Sequence, residues 1–355
     1  MEPLVVHAAL SSPRLVKVSG PFSPPSTPTS ISRVVSLPLP VHLFVMSILA
    51  SLCTIAATRA GRLRRASLVH GQDLSFAGLA SVAVGYLLRV PIVLHYHGPH
   101  IYLITDRPLF RALEILINRL VTRAADLVVI TDSLSQSYLE RIGTNRRKIV
   151  RIPNATSFLF GSPTPARADF RVVHVGRLSP KKNLGVLLKA FHLASDAIGE
   201  GAKLLVVGDG PCLGRLKALA HRLGIEDKTV FLGPRWDVLH ILSEVDVFVL
   251  PSLIEGSPLS VLEAMAAGVP VVASDVPGVR EIISHDINGV LVPPTSVDGF
   301  ARAITMVYRD PAKAEALSQA AREHIERFHD PEVVFPKLLE VYRRAVKAKA
   351  LRHPA

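Results

Sequence analysis

Cysteine is nearly missing from this chain of 355 residues: there are two, Cys53 and Cys212, and they stand in different halves. That excludes a disulfide-framed scaffold and fits a reducing compartment, so a cytoplasmic location is expected. Residues 1–30 lack the basic start and apolar core of a secretory leader; they carry a Pro/Ser-rich stretch, GPFSPPSTPTS, that reads as an exposed or poorly ordered segment. Aromatic residues make up only 6% of the chain, are not interleaved with the arginines, and accompany no nucleic-acid-binding motif, so nucleic acid is not expected as a partner. No Asp-x-Asp arrangement occurs, and His95, His97 and His100 have no Asp or Cys partner at zinc-like spacing, so neither a metal site nor a bound cofactor is expected.

Acidic residues are also scarce, and unevenly so. The net charge is +12, and residues 1–160 hold 17 Lys/Arg against 7 Asp/Glu, while the remainder is almost balanced. A basic N-terminal half attracts anionic partners, and the phosphate-rich face of a membrane is the favoured one; a solvated surface in a high-pI protein is the plainer reading. The longest apolar run, VHLFVMSILASLCTIAA at 41–57, is followed by Arg59, Arg62, Arg64 and Arg65. Polar His42, Ser47, Ser51 and Thr54 interrupt it, so it is read as a buried or membrane-facing helix, with a transmembrane span as the alternative. A cytoplasmic protein, peripheral on the inner face of the membrane, is the resulting expectation.

The length exceeds what one hydrophobic core ordinarily serves, and strand-like runs such as RVVHVG, KLLVVGDG and VDVFVLPS alternate with helical stretches, including those near 75–89 and 108–124. The pattern predicts an α/β protein of two Rossmann-like, doubly wound parallel-sheet domains facing across a cleft. The boundaries expected are 1–160, then 161–331 after a Pro/Ser/Gly-rich linker, then an amphipathic helix and tail at 332–355 that crosses back to the first domain.

Two blocks carry the chemistry. In EGSPLSVLEAMAAG (255–268), Ser257 suits a helix N-cap, Pro258 the first helical position, and the amides of Leu259 and Ser260 then point out of the helix start, where the dipole favours an anion such as a diphosphate. Glu255 precedes the helix and Glu263 lies one to two turns inside, so two carboxylates face different parts of an elongated ligand rich in hydroxyls. In GRLSPKKN (176–183), a strand runs into Gly176 and Arg177 and then Lys181 and Lys182; Arg177 and Lys182 can neutralise a diphosphate leaving group, with Lys181 read as surface. VVGDGP (206–211) supplies a glycine turn at Gly208 and Gly210, and VFLGPRWDV (230–238) places Arg235 in a following loop.

The first block, continued through AMAAGVPVVASDVPGVREII and NGVLVPP, resembles the family-4 retaining glycosyltransferases (glycosyl transferases group 1, GT-B fold) over some 40 residues. The resemblance implies that Glu255 holds the donor sugar's hydroxyls, Gly256, Pro258, Leu259 and Ser260 frame the distal phosphate, and Glu263 takes the ribose. It implies likewise that Arg177 and Lys182, after Gly176, hold the diphosphate; that Gly208 and Gly210 line the nucleotide side, with Arg235 near the base; and that His97, in the strand-end HYHG, contacts donor sugar and acceptor. The activity implied is metal-independent transfer of a hexose-type residue from a nucleoside diphosphate sugar to a sugar or lipid-linked acceptor, as in polysaccharide assembly. A catalytically silent donor-binding or scaffold protein is the alternative, because the N-terminal domain is expected to lack the family's first strand and glycine-rich loop; an epimerase or phosphorylase of the same fold explains the Glu255 and Glu263 block less directly.

Overall fold

The computed structural model describes residues 6–8, 66–74, 76–98, 108–156 and 169–352; the apolar run 41–57, Cys53, His100 and the 157–168 linker lie outside these. Contacts group the chain into two units, the first holding the residues up to Thr131 with Ser135–Ile152 and Lys337 onward, the second Asp132–Leu134 with Pro153–Pro336.

The sheet of the first unit has five parallel strands in chain order: β1 (Val6–Ala8), β2 (Val69–Gly71), β3 (Ile92–Tyr96), β4 (Leu127–Ile130) and β5 (Ile149–Arg151). IVLHY and LVVI are nearly continuous apolar runs, as a parallel sheet covered on both faces requires, and Val93, Leu94, Val128, Val129 and Ile130 are fully buried. Helices α1 (Phe76–Leu88) and α2 (Pro108–Ala124) fall within a residue of their expected bounds, and α3 (Ser133–Arg141) follows β4. The long final helix, Pro331–Arg352, adds Tyr342 to this unit, where its hydroxyl bonds His70 Nδ1 on β2 at 2.7 Å.

The second unit is a six-stranded parallel sheet: β6 (Phe170–Val175), β7 (Ala202–Val207), β8 (Thr229–Gly233), β9 (Val247–Leu250), β10 (Val271–Ser274) and β11 (Val290–Val292). Its spatial order is β8-β7-β6-β9-β10-β11. Because successive strand residues face opposite sides, the sheet feeds two cores. Val172, Val247 and Val249 join Leu187 and Phe191 of helix α4 (Leu184–Ile198) and Phe300 and Ile304 of a later helix, Val297–Arg309. Val173, Phe248 and Leu250 join Leu262 and Met265 of the helix Leu259–Ala266 and Ile325 of the helix Pro311–Phe328 on the other side.

Chain direction across this sheet reverses between β6 and β9. From β6 the chain moves outward to β7 and β8, then returns to the other side of β6 for β9. The loops leaving the carboxyl ends of β6 and β9 therefore diverge to opposite faces and leave a crevice, the place where open α/β sheets bind ligands. The first sheet, whose described strands run in chain order, has no such reversal among the described residues.

Candidate functional site at the strand reversal

The loop leaving β6 is Gly176–Asn183. Backbone bonds fix its path: Gly176 N–H donates to Val207 O at 3.0 Å and Leu178 N–H to Asp209 O at 2.9 Å. Pro180–Lys182 is a single 3₁₀ turn ending at Asn183, which takes a left-handed conformation (φ 52°) and donates from its side chain to Pro294 O at 2.9 Å. Asparagine tolerates that backbone better than most residues, and the tight reversal turns both lysines away from bulk water.

The loop leaving β9 is Pro251–Pro258, and it meets the first. Leu253 N–H donates to Lys181 O at 2.8 Å, and Lys182 Nζ stands 2.7 Å from Glu255 Oε1, with the two side chains only 11% and 8% exposed. Lys181, expected at the surface, is half-buried instead. Burial pulls its ammonium below the usual lysine range and Glu255 pulls it back up, while Lys182 and Arg177 lower it further. Lys181, Lys182, Arg177 and Glu255 thus share one field, three cations to one carboxylate, with Arg177 exposed.

Ser257 does not cap the following helix. The helix begins at Leu259 with Pro258 as its cap residue and no side-chain cap bond, and the Ser257 carbonyl instead receives Asn154 Nδ2 at 3.1 Å. With Pro258 shifted out of the first helical position, the amides of Leu259 and Ser260 occupy the first turn, where a helix offers N–H groups no internal acceptor. Leu259 is 50% exposed. Glu263, inside the helix, is half-buried, and burial raises its carboxyl above the usual glutamate range.

Glycines set the spacing. Gly208 sits at φ 126°, and a Cβ there would overlap the carbonyl oxygen of Gly176; a Cβ at Gly210 would come to 2.5 Å from Leu178 O. The β6 and β7 loops can lie this close only with hydrogen at both positions. Gly278, which opens a short helix after Pro277, does the same on the other side: a Cβ there would overlap the carbonyl oxygens of Glu255 and Gly256. Arg235 lies in the loop after β8, exposed, with its Nε donating to Asp237 Oδ1 at 2.7 Å. The bond to Arg235 holds the Asp237 carboxyl down to about 2.

His174 is one position of the largely apolar strand β6. It is fully buried, and its Nδ1 lies 3.0 Å from Val249 O; a carbonyl can only accept, so Nδ1 carries the proton. Its Nε2 is buried with no partner. Burial first, and then the Lys182 ammonium, lower this imidazole to about 4, against the raising effects of Val249 O and Glu255.

His97 is at the carboxyl end of β3, exposed, with Nε2 bonded to Gln72 Oε1 at 3.0 Å. Its ring stacks on His95 at 4.2 Å between centroids, and His95 in turn on His70 at 5.7 Å. Burial, then His97 and His70, lower His95 to about 2. Among the described residues no group of His, Cys, Asp or Glu is arranged to hold a metal ion, and no helix is long and apolar enough to cross a membrane.

Two family descriptions match the sequence, "Glycosyl transferase 4-like domain" over residues 16–155 and "Glycosyl transferases group 1" over 160–324. An exopolysaccharide phosphotransferase of Streptomyces coelicolor is 36% identical over 57% of this chain and 21% of its own length. An Escherichia coli UDP-Gal:alpha-D-GlcNAc-diphosphoundecaprenol alpha-1,3-galactosyltransferase is 28% identical over 68% of this chain and 66% of its own. The chain spans about half or less of the length of the first three curated relatives it matches, at 21%, 45% and 44%. In fold it is similar to Anabaena HepE, solved with UDP, at TM-score 0.70 and 22% identity over 83% of this chain and 84% of that one. With one matched half for each sheet, the chain belongs to the two-domain, GT-B glycosyltransferases.

Proposed function

We propose that the chain transfers a hexose-type residue, with net retention and without a metal ion, from a nucleoside diphosphate sugar to a hydroxyl of a sugar or lipid-linked acceptor. The observation that carries this reading is the buried Lys182–Glu255 pair at the strand reversal, next to the first turn of the helix Leu259–Ala266. Lys181, Lys182 and Arg177 around Glu255 make this end of the crevice cationic, the complement of the negative diphosphate of a sugar nucleotide. Arg177 and Lys182 then hold the diphosphate as it leaves, aided by the Leu259 and Ser260 amides, while Glu255 accepts sugar hydroxyls and Glu263 the ribose. Gly256 and Pro258 bring the chain to the distal phosphate, Gly176, Gly208 and Gly210 keep the nucleotide side open, and Arg235 reaches the base. In this mechanism the acceptor approaches on the face the diphosphate leaves, and a leaving-group oxygen takes the acceptor proton.

A membrane-surface acceptor is supported by helix α2, which exposes Leu113, Leu116 and Leu120 in a row bordered by Arg119 and Arg123. An apolar stripe flanked by arginines suits an anionic lipid interface. The experiment is a panel of UDP- and GDP-sugars scored by thermal shift, followed by nucleotide release with a membrane extract as acceptor. A binder stabilises according to its affinity, so one donor should raise the melting temperature, and raise it less in Lys182→Ala. No stabilisation by any donor refutes the reading.

A further inference from the structure

His174 is a polar residue at an interior strand position where valine or leucine would pack without cost. A buried acceptor with no hydrogen bond is destabilising by roughly 1–3 kcal/mol, so its presence asks for a use. The unpartnered Nε2 is the unprotonated nitrogen, since Nδ1–H is committed to Val249 O. What lies beside it is specific. A Cβ built on Gly176 would stand 3.3 Å from His174 Nε2, 3.5 Å from Lys182 Cε and 3.7 Å from Lys182 Nζ, so lone pair and ammonium border one small space that only a glycine leaves open.

Resting on the donor site described above, we propose that His174 is a positioning residue for Lys182: its Nε2 is the second acceptor that the ammonium takes when the donor draws Glu255 away. A lysine ammonium has three N–H donors. One now goes to Glu255. When that carboxylate turns to the sugar hydroxyls and the diphosphate accepts a second N–H, the imidazole beneath receives the third and keeps Lys182 aimed at the phosphate oxygens. The move needs rotation of the last lysine methylenes only, into the space above Gly176. The imidazole, lowered to about 4, remains a neutral acceptor at ordinary pH.

Two isosteres separate this role from packing. The amide of His174→Asn reaches the Nδ1 position and can still donate to Val249 O, but leaves nothing at Nε2; the amide oxygen of His174→Gln reaches the Nε2 position and sacrifices the Val249 bond. UDP-sugar and GDP-sugar affinities by titration calorimetry on the full chain, with thermal unfolding of the same proteins, read the two roles apart. His174→Asn should weaken the sugar nucleotide that binds roughly tenfold while keeping thermal stability, and His174→Gln should bind nearly as the native protein does. In a Lys182→Ala background the Asn substitution should change affinity less than twofold, because its effect passes through that lysine. Equal binding by the native and Asn proteins, or the same tenfold loss in the Lys182→Ala background, overturns the proposal and leaves the donor site standing. Failure of the native protein to bind either kind of sugar nucleotide removes the donor site and this role together.

Discussion

Replacing Glu255 by Gln should destabilise the second unit more than replacing Lys182 by Met, although the two side chains form one ion pair. The pair is 2.7 Å long and both members are nearly buried, so solvent screening discounts it little. At an effective dielectric near 20, unit charges about 4 Å apart interact by about 4 kcal/mol, and deleting one partner of a buried pair costs about 3–5 kcal/mol. The two deletions differ in what remains. Lys182→Met leaves Glu255 in the field it shares with Lys181 and Arg177, whereas Glu255→Gln leaves three cations crowded together without their carboxylate. We expect about 2 kcal/mol for the lysine variant and about 4 kcal/mol for the glutamate variant, with the double variant near the lysine value. For a unit of this size that corresponds to melting-point losses of roughly 4–8 °C and 8–16 °C. Urea unfolding in low salt, monitored by a probe in the second unit, measures all three. Equal losses, or single losses that add to that of the double variant within about 0.5 kcal/mol, refute the shared-field argument.

Acid should weaken the second unit through His174, whose proton affinity falls on folding from 6.5 to about 4. The unfolded chain binds the proton first, so this contribution is complete above pH 6.5 and is lost as pH falls toward 4, with a slope of at most about 1.4 kcal/mol per pH unit that His174→Asn should remove. Gly208→Ala, which drives a methyl into the Gly176 carbonyl at φ 126°, should cost more than about 1 kcal/mol and abolish nucleotide binding, read by thermal shift with UDP or GDP. Changing Leu113, Leu116 and Leu120 together to Ser should weaken sedimentation with anionic vesicles without lowering the melting temperature, because all three are about half exposed; retained binding at low salt counts against helix α2 as the contact.

What was legible in the sequence followed from periodicity and from loop chemistry. VVHV, LLVV and VFVL could only be strands covered on both faces, and from them the parallel sheets and the helices between follow. The Lys182 and Glu255 positions were legible because a strand leading into Gly-Arg-x-x-x-x-Lys, and another leading into Glu-Gly-x-Pro, mark two carboxyl ends. Ser257 shows what was not. A Ser before Pro reads locally as a cap, but Asn154, more than a hundred residues upstream, takes its carbonyl and the helix starts later. Lys181 lies further in than its local sequence suggests for a similar reason: the 3₁₀ turn that rotates it inward is held by Asn183 bonding Pro294, again a distant partner. His174 and Gly278 were invisible because their significance is steric and buried, one an orphan nitrogen and the other a missing Cβ, and neither leaves a periodic trace.

The strand order explains why these particular groups meet. A sheet laid down in chain order sends each successive loop to its own place along the edge, and no two are forced together. In the second unit the return past β6 makes the β6 and β9 loops neighbours across a gap, while Gly208 on one side and Gly278 on the other let adjoining backbone pack directly against those loops with no side chain between. The groups at the gap are then fixed by backbone, and only the ends of Lys182 and Glu255 retain freedom. Such a site pays its ordering entropy during folding. An incoming diphosphate need only exchange the partner of one ammonium, and a buried ion pair beside an unused imidazole nitrogen is the arrangement that makes the exchange possible without ever leaving a charge unpartnered.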